Sequence, residues 1–288
     1  MKIGAVFPQL EIGADPGAIR AYVEAVEDME YSYILIYDHV LGADSVSRPG
    51  WNGYYDHKDM FHEIMVLFGY MAAISSKLEL VTGVLVSPQR ETALIAKQAA
   101  EVDILTGGKL RLGIGVGWNA VEFEALNQDF HNRGKRIEEQ VAVMRELWTK
   151  EVVNFKGRWH TINAAGINPL PVQRPIPVWM GGKSDIVLRR IARMGDGWFP
   201  QYPPDATGRA EIEKLRAYVR EAGRDPSSVG IDARLNMRNT PESKWAEEVQ
   251  AWREIKVTHL HVNTMSAGFK KPDDHIKALR RLKHLVRL

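Results

Sequence analysis

The chain has 288 residues, 45% of them hydrophobic, enough for one large core on the scale of single-domain α/β barrels of about 250 residues. Its 38 basic and 36 acidic residues leave a net charge of +2, with no run of like charge to serve as a footprint for nucleic acid or a membrane surface. The sequence contains no cysteine, which excludes disulfides, thiolate nucleophiles, iron–sulfur clusters and cysteine-bound zinc.

The first element, KIGAVFP at residues 2–8, is a short apolar run closed by a proline. It is too short for a signal-peptide core or a membrane span, so a cytoplasmic protein with one domain over residues 1–288 is expected. Seven further β-rich runs follow in order: YILIYDH (33–39), LELVTGVLVSP (78–88), LRLGIGVG (110–117), PVWMGGK (177–183), DGWFPQ (196–201), IDARLN (231–236) and HLHVNT (259–264). Helical patterns separate them. In RGKRIEEQVAVMRELWT, for example, Ile137, Val141, Met144 and Leu147 recur on one face. Strand and helix in strict alternation indicate parallel strands with crossover helices, and eight such units indicate a closed (β/α)8 barrel. Two insertions break the rhythm, one after the second strand and one after the fourth. Residues 40–60, rich in Gly, Tyr and Trp, suit a functional loop over the strand ends. Residues 150–176 contain a predicted hairpin around Lys156 and Gly157 in NFKGRWHTI, then the proline-rich NPLPVQRPIP.

Gly113, Gly115 and Gly117 alternate with Leu112, Ile114 and Val116, so one face of the fourth strand carries no side chains. Either the strand packs tightly there or a flat ligand lies against it. In a barrel of this kind chemistry sits at the carboxyl ends of the strands, which singles out Asp38 and His39 after the second strand, His39 as a proton donor or acceptor. Gly181, Gly182, Lys183 and Ser184 join the fifth strand to a helix. Open backbone N–H groups, a hydroxyl and a lysine at a helix start form a phosphate site, unless Ser184 simply caps its own helix.

Metal chemistry finds little support. FHEIMV places Val66 where a zinc-binding H-E-x-x-H helix needs its second histidine. His259 and His261 share a strand face but find no third ligand in the sequence pattern, and no metal is expected. Asp56, His57 and Asp59 read as a solvated loop surface, and Glu63 and Lys97 as helix-face residues.

Taken together, TGVLVSPQRETALIAKQAAEVDILTGGKLRLGIGVGWNAVEFEALN, RGKRIEEQVAVMRELWT, PIPVWMGGKSD and GDGWFP closely resemble the luciferase-like monooxygenase superfamily. The resemblance is strongest to its branch of oxidoreductases that use the deazaflavin coenzyme F420. It runs from the first strand to about residue 201. It implies a bacterial luciferase-like TIM barrel, usually a homodimer, with the ring at the carboxyl ends of the strands. It also implies that Asp38 and His39 lie near the ring, His39 as acid or base. Thr82, Gly83 and Val84 would back the ring across a non-proline cis peptide between Gly83 and Val84. Gly117, Trp118 and Asn119 would form the pocket mouth, and Gly181, Gly182, Lys183 and Ser184 the phosphate loop. The sugar-phosphate dehydrogenases of that branch carry a tryptophan shortly after the strand-two histidine and a glutamate directly after the fourth strand's last glycine. Here Val40 to Ala43 and Trp118 stand at those positions, which sets the chain apart from sugar-phosphate oxidation. The expected activity is hydride transfer between F420 and a small organic substrate. The alternatives are an FMN-dependent two-component monooxygenase and a non-catalytic flavin- or F420-binding protein. The loop at 40–60 and the hairpin near Trp159 are expected to shape the substrate site.

Overall fold

In the computed structural model, which describes residues 1–286, the eight predicted runs pair into one closed barrel. In chain order the elements are β1 (Lys2–Val6), α1 (Pro16–Asp28), β2 (Tyr33–Ile36), α2 (Ile64–Ala72), β3 (Glu79–Thr82), α3 (Thr92–Leu105), β4 (Leu110–Ile114), α4 (Ala120–Ala125), α5 (Arg133–Thr149), β5 (Val153–Lys156) and β6 (Thr161–Ala165). The chain continues with β7 (Val178–Gly181), α6 (Asp185–Met194), β8 (Gly197–Phe199), α7 (Ala206–Glu221), β9 (Gly230–Asn236), α8 (Trp245–Glu254), β10 (His259–Asn263) and α9 (Pro272–Val286). The barrel order is β1-β10-β9-β8-β7-β4-β3-β2, every pair parallel. Strands apolar at nearly every position suit this arrangement, because the helices cover one face and the filled interior the other.

Ile231, Ala233 and Leu235 of β9 illustrate the outer face, packed under the helices, while Asp232 between them points inward. The inner face in the amino-terminal half is closed by an ionic plug. Arg111, 2% exposed, grips Glu79 through Nε (3.2 Å) and Nη2 (2.9 Å) and Asp232 through Nη1 (2.9 Å). Its guanidinium lies 4.5 Å from the ring centres of both Tyr33 and Trp179. The Tyr33 hydroxyl (2.7 Å) and His261 Nδ1 (2.9 Å) complete the shell of Asp232. The Asp232 carboxyl lies below its ordinary range: burial raises it, but His261, Arg111 and Tyr33 outweigh that. Glycine makes room for these rings, since a Cβ at Gly4 would lie 2.3 Å from Tyr33 and one at Gly197 2.1 Å from Trp179. Above the plug Val6, Leu35, Val81, Phe199 and Met265, joined by Leu10, Tyr37 and Val84, form an apolar floor.

His259 and His261 thus share the inner face as the sequence implied, but they serve the plug. Among the described residues no group of acidic and histidine side chains is spaced to hold a metal ion. Nor is any described helix long and apolar enough to cross a membrane.

Seven of the eight barrel strands are shorter than their predicted runs, the third by the most. The third stops at Thr82; the Gly83–Val84 peptide that follows is cis, and Val84 packs against the inner apolar cluster. The chain regains one bridge at Leu85 with Ile114 and turns through a short 3-10 helix, Ser87–Gln89. The fourth stops at Ile114, the residue bridged to Leu85. The hairpin forms as predicted from β5 and β6, outside the barrel. Its turn is anchored by Glu139 of α5, which accepts from the amides of Arg158, Trp159 and His160 and from His160 Nδ1. Thr92 Oγ1 of α3 meets His160 Nε2 at 2.7 Å. The hairpin is therefore tied to the outer helices.

Candidate active site

The glycine face of β4 is filled by neighbouring protein. A Cβ at Gly113 would lie 2.0 Å from the Thr82 carbonyl oxygen, at Gly115 2.5 Å from Val84 Cγ2, and at Gly117 2.5 Å from Val86 Cγ1. Gly117 also has φ +71°, a conformation open to glycine. The flat object against the strand is thus the continuation of β3. Val84 lies over both β4 and β7, since a Cβ on Gly181 would come within 3.1 Å of its Cγ1. Tight packing is what the glycine face serves: the glycines let the bulge sink in, and Gly83 and Val84 stay half-buried.

Asp38 locks that bulge. Its Oδ2 accepts the Val86 amide (3.0 Å) and its Oδ1 accepts Arg90 Nη2 (2.7 Å). Burial raises its carboxyl above the usual range, against the pull of Arg90 and the Val86 amide. Both oxygens have protein partners, so Asp38 acts through the backbone it holds. Arg90 also pairs with Glu63 (2.7 Å), which caps α2 by accepting the Val66 amide. The expectation that Glu63 is a plain helix-face residue is corrected by these contacts. Lys97 sits on α3 and donates to the Asn168 carbonyl (2.7 Å).

His39 occupies the end of β2 inside an aromatic box. The rings of Phe61 (4.8 Å), Tyr55 (5.3 Å) and Trp118 (5.5 Å) meet it edge to face. Its Nδ1 lies 3.0 Å from Glu122 Oε2, on a residue wholly buried in α4. Glu122 also accepts from the Val40 amide (2.8 Å) and Gln89 Nε2 (3.3 Å). Burial raises the Glu122 carboxyl, but His39 and these donors more than offset it and leave it below the ordinary range. An ionised Glu122 fixes the His39 proton on Nδ1 and leaves Nε2 as the basic nitrogen. Sequence reading missed Glu122. Its signal lay in VEFEALN, where Glu122 stands in the first turn of the helix that follows the glycine strand.

The loop 40–60 folds back over this box. The His57 amide donates to the Ala43 carbonyl (3.0 Å), Ser45 Oγ to Asp56 (2.7 Å), and Gly42 lies so close to the Asp56 backbone that a Cβ would approach within 2.3 Å. Trp51 and Tyr54 lean on Trp118 at 5.9 and 5.6 Å. A cavity of about 170 Å³ remains between loop and barrel, lined by residues that include His39, Tyr55, Phe61 and Asn119. Asp56, His57 and Asp59 also line it; His57 is exposed, as expected of a solvated surface, and the two aspartates are half-buried. No hairpin residue lines it, so Trp159 does not shape this cavity. Asn119 caps α4 by accepting the Val121 amide (3.1 Å).

The turn from β7 to α6 leaves Gly181 and Gly182 half-buried and Lys183 and Ser184 exposed. Ser184 is the N-cap residue, yet its hydroxyl makes no capping bond. The amides of Lys183 and Ser184 donate to no acceptor among the described residues. Asp185, in the first turn, is turned away by Tyr218, Lys214 and Arg189, which hold its carboxyl at about 2. These open donors beside a lysine fit the phosphate of a ring-and-phosphate cofactor, and the apolar bulge at Val84 fits a planar ring.

The comparisons with known proteins agree on the architecture. Residues 3–284 match the family described as luciferase-like monooxygenase. An uncharacterized protein of Mycobacterium bovis is 36% identical over 167 residues, covering 57% of this chain and 56% of that one. The FMNH2-dependent dimethylsulfone monooxygenase of Pseudomonas putida is 28% identical over 188 residues, covering 64% and 51%. The match therefore spans little more than half the length of these curated relatives. Among solved structures, an F420-dependent secondary alcohol dehydrogenase holding an F420-acetone adduct superposes with a TM-score of 0.79 at 17% identity, covering 100% and 99% of the two chains. The F420-dependent tetrahydromethanopterin reductase of Methanopyrus kandleri does so at 0.74 and 15%, covering 97% of each.

Proposed function

Because the chain belongs to the luciferase-like monooxygenase family, we propose that it is an oxidoreductase that binds coenzyme F420 at the carboxyl ends of its barrel strands and exchanges a hydride with a small organic substrate. The observation that carries the reading is the His39–Glu122 pair, a buried carboxylate presenting an imidazole at the end of β2. Hydride exchange with an alcohol or carbonyl carbon needs a partner for the accompanying proton, and His39 Nε2 is that partner. When bound, the deazaflavin supplies the hydride donor or acceptor at its ring carbon 5. Val84 and Gly83 support one ring face, and Thr82, whose hydroxyl bonds the Gly113 carbonyl (2.6 Å), fixes the root of the bulge. Gly181, Gly182, Lys183 and Ser184 receive phosphate. Gly117, Trp118 and Asn119 form the rim, where Trp118 and the loop 40–60 exclude water from His39. A homodimer belongs to the same reading.

Use of FMN is the second reading, favoured by the detectable sequence similarity to an FMNH2-dependent monooxygenase. Titration of the apoprotein with F420 and with FMN, followed by absorbance, separates them. F420 is expected to bind at least tenfold more tightly. Tighter FMN binding, with oxygen consumption by the reduced complex, sinks the hydride-exchange reading.

A further inference from the structure

The inner face of β9 presents Asp232, Arg234 and Asn236 in succession. Asp232 is saturated by the plug. Arg234, one layer nearer the carboxyl end and half-buried, has no carboxylate within ion-pairing distance among the described residues. A guanidinium inside a barrel ordinarily carries a partner, as Arg111 does below it. The nearby acids are engaged elsewhere: Glu11 accepts the Ser266 amide on Oε1 (2.8 Å) while its Oε2 is buried without a hydrogen-bond partner, Asp59 accepts the Asp56 amide (2.7 Å), and Glu248 the Thr240 hydroxyl (2.8 Å).

Arg234 lies beside unsatisfied groups. The Tyr37 hydroxyl is buried without a partner, and so is Oε1 of Gln9, whose Nε2 bonds the Tyr37 carbonyl (2.9 Å). Burial raises the Tyr37 phenol, and Arg234, through its charge and as a donor close to the phenol oxygen, opposes that shift. Arg234 also acts on Tyr55, which burial pushes up to about 12 and which lines the His39 cavity. A cation without a carboxylate partner and a phenol donor thus stand on the β2 and β9 side of the mouth, above the apolar floor of Leu10, Leu35, Phe199 and Met265. Gly181 to Ser184, at the end of β7, are a separate set of donors.

We propose that Arg234 and the Tyr37 hydroxyl form a carboxylate-binding subsite, so that the substrate is a small, otherwise apolar organic acid whose reacting carbon is presented to His39. The planar guanidinium fork suits a carboxylate, and the phenol adds a donor to it. The inference rests on the reading of the barrel mouth as the substrate site. It requires neither F420 nor FMN to be the cofactor.

The test uses the whole chain, followed by tryptophan fluorescence. Benzoate and acetate are titrated against the uncharged benzamide and acetamide. At least one acid should bind tenfold or more tightly than its amide, and Arg234→Gln, checked for an unchanged melting profile, should abolish that preference while Arg234→Lys retains part of it. Equal binding of acid and amide, no binding of either acid, or a preference that survives Arg234→Gln overturns the proposal. Should Arg234→Gln fail to fold, Tyr37→Phe supplies the second variant: it should weaken acid binding severalfold and leave amide binding unchanged, and an unchanged acid affinity counts against the subsite. The cofactor titration is a separate measurement, so the two readings fail independently.

Discussion

Replacing Arg111 by methionine removes the one cation between Glu79 and Asp232 while filling the space between the Tyr33 and Trp179 rings. Taking away one partner of a buried ion pair costs about 3–5 kcal/mol, because the other charge is left uncompensated. The two acids do not suffer equally. Glu79 has a side chain 24% exposed and gains hydration, whereas Asp232 has none and keeps only Tyr33 and His261. The lower half of that range is therefore expected, about 3–4 kcal/mol. A chain of this size loses stability at about 0.6 kcal/mol per degree near its midpoint, so the melting temperature should fall by about 5–7 °C. Arg111→Lys keeps the charge but not the fork that engages Glu79 through Nε and Nη2, and should fall between. Scanning calorimetry at neutral pH measures all three proteins. A methionine variant within about 2 °C of wild type, or one indistinguishable from the lysine variant, would refute the view that this guanidinium holds the barrel floor together.

Replacing His39 by alanine should lower turnover by about 100-fold or more, and Glu122→Gln should lower it less and shift its pH profile, since the amide no longer fixes the imidazole proton; steady-state rates across pH check both. Gly113→Ala should destabilise by about 1–3 kcal/mol, because its Cβ meets the Thr82 carbonyl oxygen at 2.0 Å. Gly69→Ala in α2, where a Cβ meets nothing within 4 Å, should stabilise by up to about 1 kcal/mol; thermal melts giving both the same sign would defeat the argument. Burial holds His275 neutral in the fold, depressed from 6.5 to about 4. Its contribution is complete above about 6.5 and is lost as pH falls from there toward 4, so His275→Phe should flatten the acid limb of the melting temperature against pH, and an unchanged limb would count against the assignment.

Much of this protein was legible in local windows. Period-two and period-3.6 patterns need only a few residues, so all eight barrel strands, the intervening helices and the hairpin were marked in order. Asp38 and His39 were found because a strand's carboxyl end is a position in the sequence. The bare face of β4 was legible too, from three glycines spaced by two. Tertiary structure decided what fills that face, because Val84 and Val86 reach it only when β3 and β4 are adjacent. Barrel closure also chose the partners: Glu122 for His39 across 83 positions, and Asp232 for Arg111 across 121. Side-chain pairing at such separations depends on which strands the closed ring makes neighbours and how far each extends toward the mouth. The unpaired state of Arg234 belongs to the same class, since whether a charge has a partner is a property of the assembled barrel and of no segment within it.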